Sequence, residues 1–202
     1  MSLPSPQSPL RDVLRPSHSG AESQTGVALV ERRLAIAQVQ ARKARETELA
    51  AAISSSFGLS LPAPGGASTG RDGTAAIWIG PATWLILAPR TAPGTLAQRL
   101  AAAVSDTGSV TDQTFGKALL RLSGAKARDV LAKGCRVDLN PRVFGPGRAA
   151  VTSIGHIGCV LAQVDEVPTF DLVVPATLAA SFVEWLEAAA AEFGLDIEAP
   201  TG

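Results

Sequence analysis

The chain has 202 residues, of which 46% are hydrophobic and 18% are charged. This balance is typical of a globular protein rather than a disordered one, and the length suits one domain or two small halves that share a core. Eighteen basic residues balance 18 acidic ones. That balance disfavours nucleic acid and anionic membranes as partners, because both are bound through a surplus of Lys and Arg.

The sequence shows no targeting signal and no paired cysteine motif. The N-terminus has neither a basic start nor an apolar core, and no stretch reaches the ~18 uninterrupted apolar residues that a membrane span requires. We therefore expect a cytoplasmic protein. Cys135 and Cys159 lack the paired spacing of zinc or redox motifs, so we expect two buried free thiols.

Both ends of the chain differ in composition from its centre. Residues 1–26 are rich in Ser, Pro, Gln and Gly and show no period, which predicts a flexible N-terminal arm. A short docking turn over residues 9–14 is the alternative. Residues 196–202 are expected to form a short tail, so residues 27–195 make up the predicted domain.

The first half of this domain, about 27–115, alternates strand and helix patterns. Leu34, Ile36 and their neighbours are apolar on both faces, as in a strand covered on both sides. Gly58 is expected to end the first helix. The predicted elements are a strand at 34–39, a helix at 43–57, a hairpin of strands 75–80 and 83–88, a helix at 96–104 and a strand at 109–115.

The second half, about 117–195, has a similar order. Ser123 is expected to cap its first helix and Gly134 to end it. The last helix should begin near Pro175 and place Phe182 and Trp185 on one apolar stripe. The predicted elements are a strand at 117–122, a helix at 125–133, a meander of strands 149–154, 158–164 and 170–174, and a helix that ends before Gly194.

This mixed order of strands and helices predicts an α+β fold in which two similar sheet-and-helix halves pack together. Strands that are apolar on both faces need a cover on each. In residues 83–88, Trp84 and Ile86 point one way and Leu85 and Leu87 the other. One face can be covered by the chain's own helices, and the second must meet either the other half or another subunit.

No catalytic, cofactor-binding or metal residue emerges from the sequence. The run Gly65–Gly70 precedes no helix and has no phosphate-binding Lys. His156 could act on Cys159, but no nearby carboxylate would orient its ring, so a turn histidine beside a buried thiol is favoured. Asp165 and Glu166 precede Val-Pro and indicate an exposed turn rather than an acid–base pair.

Five segments spread along the chain carry a family resemblance. They are ALVERRLAIAQVQARK, AAIWIGPATWLILAP, TDQTFGKALLRLSGAKARDVLAKGCRVDLNPRVF, TSIGHIGCVLAQV and SFVEWLEAAAAEFG. Together they resemble the gamma subunits of heterotetrameric bacterial sarcosine oxidases. The stretch LRLSGAKARDVLAKGCRVDL is more distantly similar to the folate-binding aminomethyltransferase fold.

The resemblance implies a non-catalytic subunit of an oxidoreductase, with alpha, beta and delta subunits as partners. Such a complex demethylates sarcosine oxidatively to glycine, with hydrogen peroxide and 5,10-methylenetetrahydrofolate as further products. FAD, FMN, NAD, tetrahydrofolate and zinc are then expected on the other subunits and none on this chain. We expect an apolar contact with the largest chain, with the loop residues Arg142, Phe144 and His156 at its rim.

Two alternatives remain. A stand-alone folate-binding protein of the aminomethyltransferase-like class would need a carboxylate in an apolar pocket with basic residues at its mouth, a grouping that the linear sequence does not display. A scaffold unrelated to sarcosine would leave the five resembling segments unexplained.

Overall fold

The computed structural model describes residues 8–19 and 26–202. In these residues, two sheets are flanked by α-helices, and 3₁₀ turns occur at Arg71–Gly73 and Ala176–Leu178. The elements are β1 (Ser17–Ser19), β2 (Val27–Glu31), β3 (Leu34–Ala41), α1 (Glu46–Phe57), β4 (Ala67–Thr69), β5 (Ala75–Gly80), β6 (Thr83–Pro89), α2 (Thr95–Val104), β7 (Gly108–Asp112), β8 (Lys117–Ser123), α3 (Ala127–Ala132), β9 (Ala149–Ile154), β10 (Ile157–Asp165), β11 (Thr169–Pro175), α4 (Ala179–Ala190) and β12 (Leu195–Ile197).

Each half of the chain contributes most of one sheet. The five-stranded sheet has the order β4-β5-β6-β3-β7, and the seven-stranded sheet has the order β1-β12-β2-β8-β11-β10-β9. Strands β5 and β6 form the predicted hairpin, and β9, β10 and β11 form the predicted antiparallel meander. Strand β2 precedes the first sheet in the chain but pairs with β8 in the second.

The helices cover the outer face of each sheet. Leu49 and Ile53 of α1 and Leu100 of α2 pack with Val39 and Ile86 of the five-stranded sheet. On the other side of the molecule, side chains of α3 and α4 such as Val130, Phe182 and Leu186 pack with Leu120 and Leu172 of the seven-stranded sheet. Burial of such side chains contributes about 1.5–3 kcal/mol each.

The inner faces of the two sheets pack on each other. Leu34, Ile36 and Leu85 of the five-stranded sheet meet Leu119 and Val173 of the seven-stranded one. The molecule therefore has four layers, in the order helix, sheet, sheet, helix. The predicted α+β class with two packed sheet-and-helix halves is confirmed, and the second apolar face of the strands is covered by the other half rather than by a partner chain.

Some helix ends in the structure differ from those that the sequence pattern predicted. Helix α1 begins at Glu46 rather than at residue 43, because Ala44 has a φ of 60°. It ends as predicted at Gly58, in the left-handed region, with the glycine N–H donating to the Ser54 carbonyl. The predicted Ser123 cap is wrong, since Ser123 closes β8 and the residue before α3 is Lys126.

The ends of the chain are packed against the domain in the parts that the structure describes. Leu10 and Leu14 are 0% and 4% exposed within the seven-stranded sheet's core. A turn between them is closed by the Leu14 N–H, which donates to the Leu10 carbonyl over 2.8 Å. Within the predicted arm, the chain therefore forms the docking turn that was the alternative, and residues 1–7 and 20–25 of the arm lie outside the described part.

The predicted C-terminal tail is also paired. Strand β12 lies parallel to β2, and β1 pairs antiparallel with β12 on its other side. The Thr201 N–H donates to the Glu31 carbonyl over 2.9 Å. These pairings extend the seven-stranded sheet with residues from both ends of the chain.

Candidate functional site

Two short links carry the chain from one sheet to the other, and they line the same depression. Arg32 and Arg33 join β2 to β3, and residues 113–116 join β7 to β8. Between these links lies a cleft of about 410 Å³, which we call the basic cleft. One wall comes from the N-terminal turn, through Ser8, Pro9 and Arg11.

The basic cleft carries a strong local charge in a chain of zero net charge. Its charged residues are Arg11, Arg32, Arg33, Arg90, Lys117 and Glu31, so five positive side chains and one negative give +4. Arg33 is the one that pairs with Glu31, over 3.1 Å from Nε to Oε2. Within residues 8–19 and 26–202, the other four make no ion pair with a carboxylate within 4.0 Å.

Glu31 is the carboxylate that lines the cleft, and it is 5% exposed. Besides Arg33, it accepts a short hydrogen bond from the Ser8 hydroxyl. The same hydroxyl oxygen accepts from the Leu10 N–H over 3.0 Å. Glu31 therefore fastens the N-terminal turn to the β2–β3 link, and its oxygens are already engaged by this chain.

Arg32 is half-buried and lines both the basic cleft and a second cleft of about 240 Å³ between the sheets. Its Nε is buried and has no hydrogen-bond partner in the described residues. Burial lowers the pKa of Arg32, the nearby Arg121 lowers it further, and Asp171 opposes both effects. Arginine nonetheless stays charged in proteins, so Arg32 holds a poorly compensated positive charge between the two clefts.

The second cleft contains a two-pronged ion pair. Asp171 accepts hydrogen bonds from Nε and Nη2 of Arg121, each over 2.8 Å. Arg121 lies on β8 and Asp171 opposite it on β11. The hydrogen bond to Asp171 raises the pKa of Arg121, which is the direction expected for a cation held by a carboxylate.

Apolar and aromatic groups complete the basic cleft. Leu34, Ile36 and Leu119 lie among its lining residues. The Phe115 ring is 44% exposed, and the guanidinium of Arg90 sits 5.2 Å from its centroid. Positive groups beside apolar surface are suited to an organic anion. The cations bind its charged groups, and the apolar side chains contact its carbon skeleton.

The folate-binding alternative called for a grouping of this general kind, and folding brings one together. Glu31 lies 84 residues before Phe115 in the sequence, and folding brings it to the same cleft as Phe115 and Lys117 where the two halves pack. No local motif signals the cleft. The pair Arg32-Arg33 between two apolar stretches was the one sequence feature that could have drawn attention to it.

Of the predicted interface residues, Phe144 lies in the core of this chain. It is 4% exposed, and its ring stacks on Phe170 with centroids 6.5 Å apart. The Asn140 carbonyl accepts from the Phe144 N–H over 2.8 Å, which turns this loop inward. Arg128 then donates to the Phe144 carbonyl over 3.0 Å. A lone aromatic side chain in a polar loop is thus used to anchor the loop to the core.

Arg142 and His156 are exposed, as an interface role requires. Arg142 lies in the loop that Phe144 anchors, and His156 occupies the β9–β10 turn with a φ of 68°. Both remain interface candidates. Exposed large apolar side chains are scattered over the described residues, and Val143, Val151 and Val167 are among them.

The two cysteines are free thiols in the structure, half-buried Cys135 after α3 and buried Cys159 in β10. Burial raises the pKa of both thiols, for Cys159 together with the nearby Cys135. In the described part of the chain, no three His, Cys, Asp or Glu side chains are grouped as metal ligands. Helices there that combine the length and apolarity needed to cross a membrane are also lacking.

The fold is shared with an aminomethyltransferase of known structure. The chain aligns with aminomethyltransferase T of the glycine cleavage system from Bartonella henselae with a TM-score of 0.62 and 14% identity, over 88% of this chain and 48% of that one. At this identity the likeness concerns the fold alone. It confirms the predicted aminomethyltransferase-like architecture.

Closer matches give the family. The model of the "Sarcosine oxidase, gamma subunit family" matches residues 41–192. The chain is 35% identical over 176 residues to a sarcosine oxidase subunit gamma from Arthrobacter sp, covering 86% of this chain and 85% of that protein. A chain of the heterotetrameric sarcosine oxidase from Corynebacterium sp. U-96, solved with pyrrole 2-carboxylate, aligns with a TM-score of 0.78 and 30% identity, over 93% of this chain and 95% of that one. The chain belongs to the sarcosine oxidase gamma subunit family.

Proposed function

We propose that this chain is the gamma subunit of a heterotetrameric sarcosine oxidase and assembles with alpha, beta and delta subunits. The observation that carries the proposal is the end-to-end match to a chain of such a complex, which spans 93% of this chain. A match over nearly the whole length supports an equivalent place in a similar assembly, rather than a domain reused in another context.

The reaction proposed for the complex is the oxidative demethylation of sarcosine to glycine, with hydrogen peroxide and 5,10-methylenetetrahydrofolate as products. FAD, FMN, NAD, tetrahydrofolate and zinc are assigned to the other subunits. The role proposed for this chain is to support the complex without contributing a catalytic side chain.

The state of the chain's reactive groups supports a non-catalytic role. Cys159 is buried with a raised pKa, so it is a neutral thiol rather than a nucleophilic thiolate at physiological pH. Glu31 is held by Ser8 and Arg33. His18 contacts the carboxylate of Asp196, which ties β1 to β12. Each group already has a structural partner or an environment that suppresses its chemistry.

Two measurements test this role. The isolated chain should show no flavin absorbance and no peroxide formation with sarcosine, whereas a stoichiometric flavin spectrum would contradict the assignment of flavins to other subunits. In the co-expressed complex, replacing Arg142 and His156 together by Ala should weaken retention of the chain without changing its circular dichroism. Lys43→Ala, at an exposed site on the other half, is the control.

A stand-alone folate-binding protein is the second candidate, and the basic cleft is the observation in its favour. A pterin ring would need a carboxylate with free acceptor sites, whereas Glu31 is engaged by Ser8 and Arg33. Equilibrium dialysis of the isolated chain with tetrahydrofolate tests this candidate. Tight stoichiometric binding in the absence of partner chains would favour it over the subunit assignment.

A further inference from the structure

The basic cleft concentrates positive charge that carboxylates of the described residues leave largely unpaired. Four of its five basic side chains, Arg11, Arg32, Arg90 and Lys117, have no carboxylate partner among the described residues. They come from four separate places: the N-terminal turn, the β2–β3 link, the end of β6 and the start of β8. Like charges drawn together from distant parts of the chain repel one another, so an arrangement of this kind indicates a bound anion.

Arg32 shows this most directly. Its Nε is buried and unpartnered in the described residues, although buried polar atoms in folded proteins are almost always hydrogen-bonded. The charges that affect its pKa are Arg121, a second cation, and Asp171, whose two oxygens already accept from Arg121. An oxyanion in the cleft would supply the compensating charge that Arg32 lacks.

We propose that the basic cleft binds a small organic anion that carries two or more carboxylate or phosphate groups. Its volume of about 410 Å³ falls in the range of about 300–1,000 Å³ that is usual for small-molecule sites. Several cations favour a ligand with more than one anionic group. The Phe115 ring, which is 44% exposed, provides surface for its carbon skeleton, and Leu34 and Ile36 also line the cleft.

The shape of the site favours a small molecule over an acidic segment of a partner chain. Ser8, Pro9 and Arg11 form a wall that belongs to this chain, and Glu31 fixes that wall in place through Ser8. The site is thus a concave depression completed by the chain itself. An acidic surface of another subunit would instead require an open basic surface on this chain.

The direct test is isothermal titration calorimetry of the full chain with citrate and with pyrophosphate, at ionic strength held constant with chloride. We expect saturable binding with one site per chain, and weaker binding of acetate, which has one carboxylate. Whichever of citrate and pyrophosphate binds more tightly identifies the carboxylate or phosphate class. The titration needs no partner subunit, so its result is independent of the proposed assembly.

The variants Lys117→Gln and Arg11→Gln each remove one unpaired charge from a half-exposed or exposed side chain, so the fold should be kept. Loss of one charge-assisted hydrogen bond should weaken binding roughly tenfold or more. Lys43→Gln, which removes a charge outside the cleft, should leave binding unchanged. Absence of saturable binding to either probe, or equal binding by both cleft variants and the parent, would overturn the proposal.

A second experiment places the site in the assembled complex. The rate of Lys117 acetylation by an amine-reactive reagent, measured by peptide mass spectrometry with Lys43 as the internal control, should fall when citrate or pyrophosphate is added. If Lys117 is instead protected in the complex before any anion is added and does not respond to either probe, an acidic partner surface fills the cleft. That outcome would also refute a small-molecule ligand.

Discussion

Phe144 stacks on Phe170 with ring centroids 6.5 Å apart and planes inclined by 28°. The guanidinium of Arg128 lies 5.3 Å from the Phe170 ring and donates to the carbonyls of Leu139 and Phe144. The loop after α3 is therefore fixed to the seven-stranded sheet through one aromatic side chain and one arginine.

The first prediction concerns this anchor. Phe144→Ala should lower the free energy of unfolding by about 3–5 kcal/mol, since it removes a buried ring and leaves a cavity. Urea denaturation followed by circular dichroism measures the change. The neighbouring Val143 is 56% exposed, so Val143→Ala should stay within about 0.5 kcal/mol of the parent protein. Equal, small effects of both substitutions would mean that the anchor contributes nothing to stability.

The burial of Phe144 could not be predicted from the sequence. This residue lies in a loop, and loops are usually exposed. Which side chain of a turn points inward depends on its tertiary contacts, here Phe170 and Arg128, which are distant in the sequence. Strand β3 was predictable because its own residues are apolar on both faces, and this local pattern indicates a strand that is buried on both sides.

The assignment of strands to the two sheets could not be predicted from local sequence patterns either. Strands β7 and β8 are consecutive and were both predicted, yet they belong to different sheets. Strands β1 and β12 have three residues each, too few for a period to be recognised. The basic cleft depends on the first of these features, since it forms where the chain crosses between sheets and where its N-terminal turn docks.

The second prediction concerns the Arg121–Asp171 pair. Asp171 is 7% exposed. Asp171→Ala leaves Arg121 without its carboxylate, and we expect the free energy of unfolding to fall by about 3 kcal/mol. The double variant Arg121→Met/Asp171→Leu should be less destabilised than the sum of the two single variants. Chemical denaturation in a double-mutant cycle measures the coupling.

The exposed pair Lys126–Asp129 is the matched control. Its side chains are 50% and 52% exposed, and Asp129→Ala should cost about 1 kcal/mol or less. Strict additivity of the Arg121 and Asp171 substitutions would contradict a coupled buried pair.

The third prediction is a pH dependence caused by Cys159. Its pKa is raised above the ordinary 9.0, so above that pH the unfolded chain loses a proton that the folded chain keeps. The free energy of unfolding should therefore fall as pH rises, by up to about 1.4 kcal/mol per pH unit for this group. Below that pH the contribution is fully present.

Stability against pH, compared between the parent protein and Cys159→Ala, isolates this effect because the remaining groups are shared. The variant should be less stable at neutral pH but should lose less stability on going to alkaline pH. Parallel curves for the two proteins would exclude a buried thiol as the cause. The chain contains no tyrosine, which removes one other group that titrates at alkaline pH.

The fourth prediction concerns the N-terminal turn. Leu10 is 0% exposed, and Leu10→Ala should cost about 2–5 kcal/mol, as measured by urea denaturation. Val13 in the same turn is 37% exposed, and Val13→Ala should have little effect. If Leu10→Ala were as stable as the parent, residues 8–19 would act as the flexible arm first expected from their composition.

The central claim is that this chain is a subunit of a sarcosine-oxidising assembly. Its most direct test is affinity purification of the tagged chain from its own cells, followed by mass spectrometry of the retained proteins and assay of sarcosine-dependent peroxide formation. We predict retention of three further chains together with flavin and sarcosine oxidase activity. Recovery of the chain as a stable monomer, with the activity left in the unbound fraction, would contradict the account.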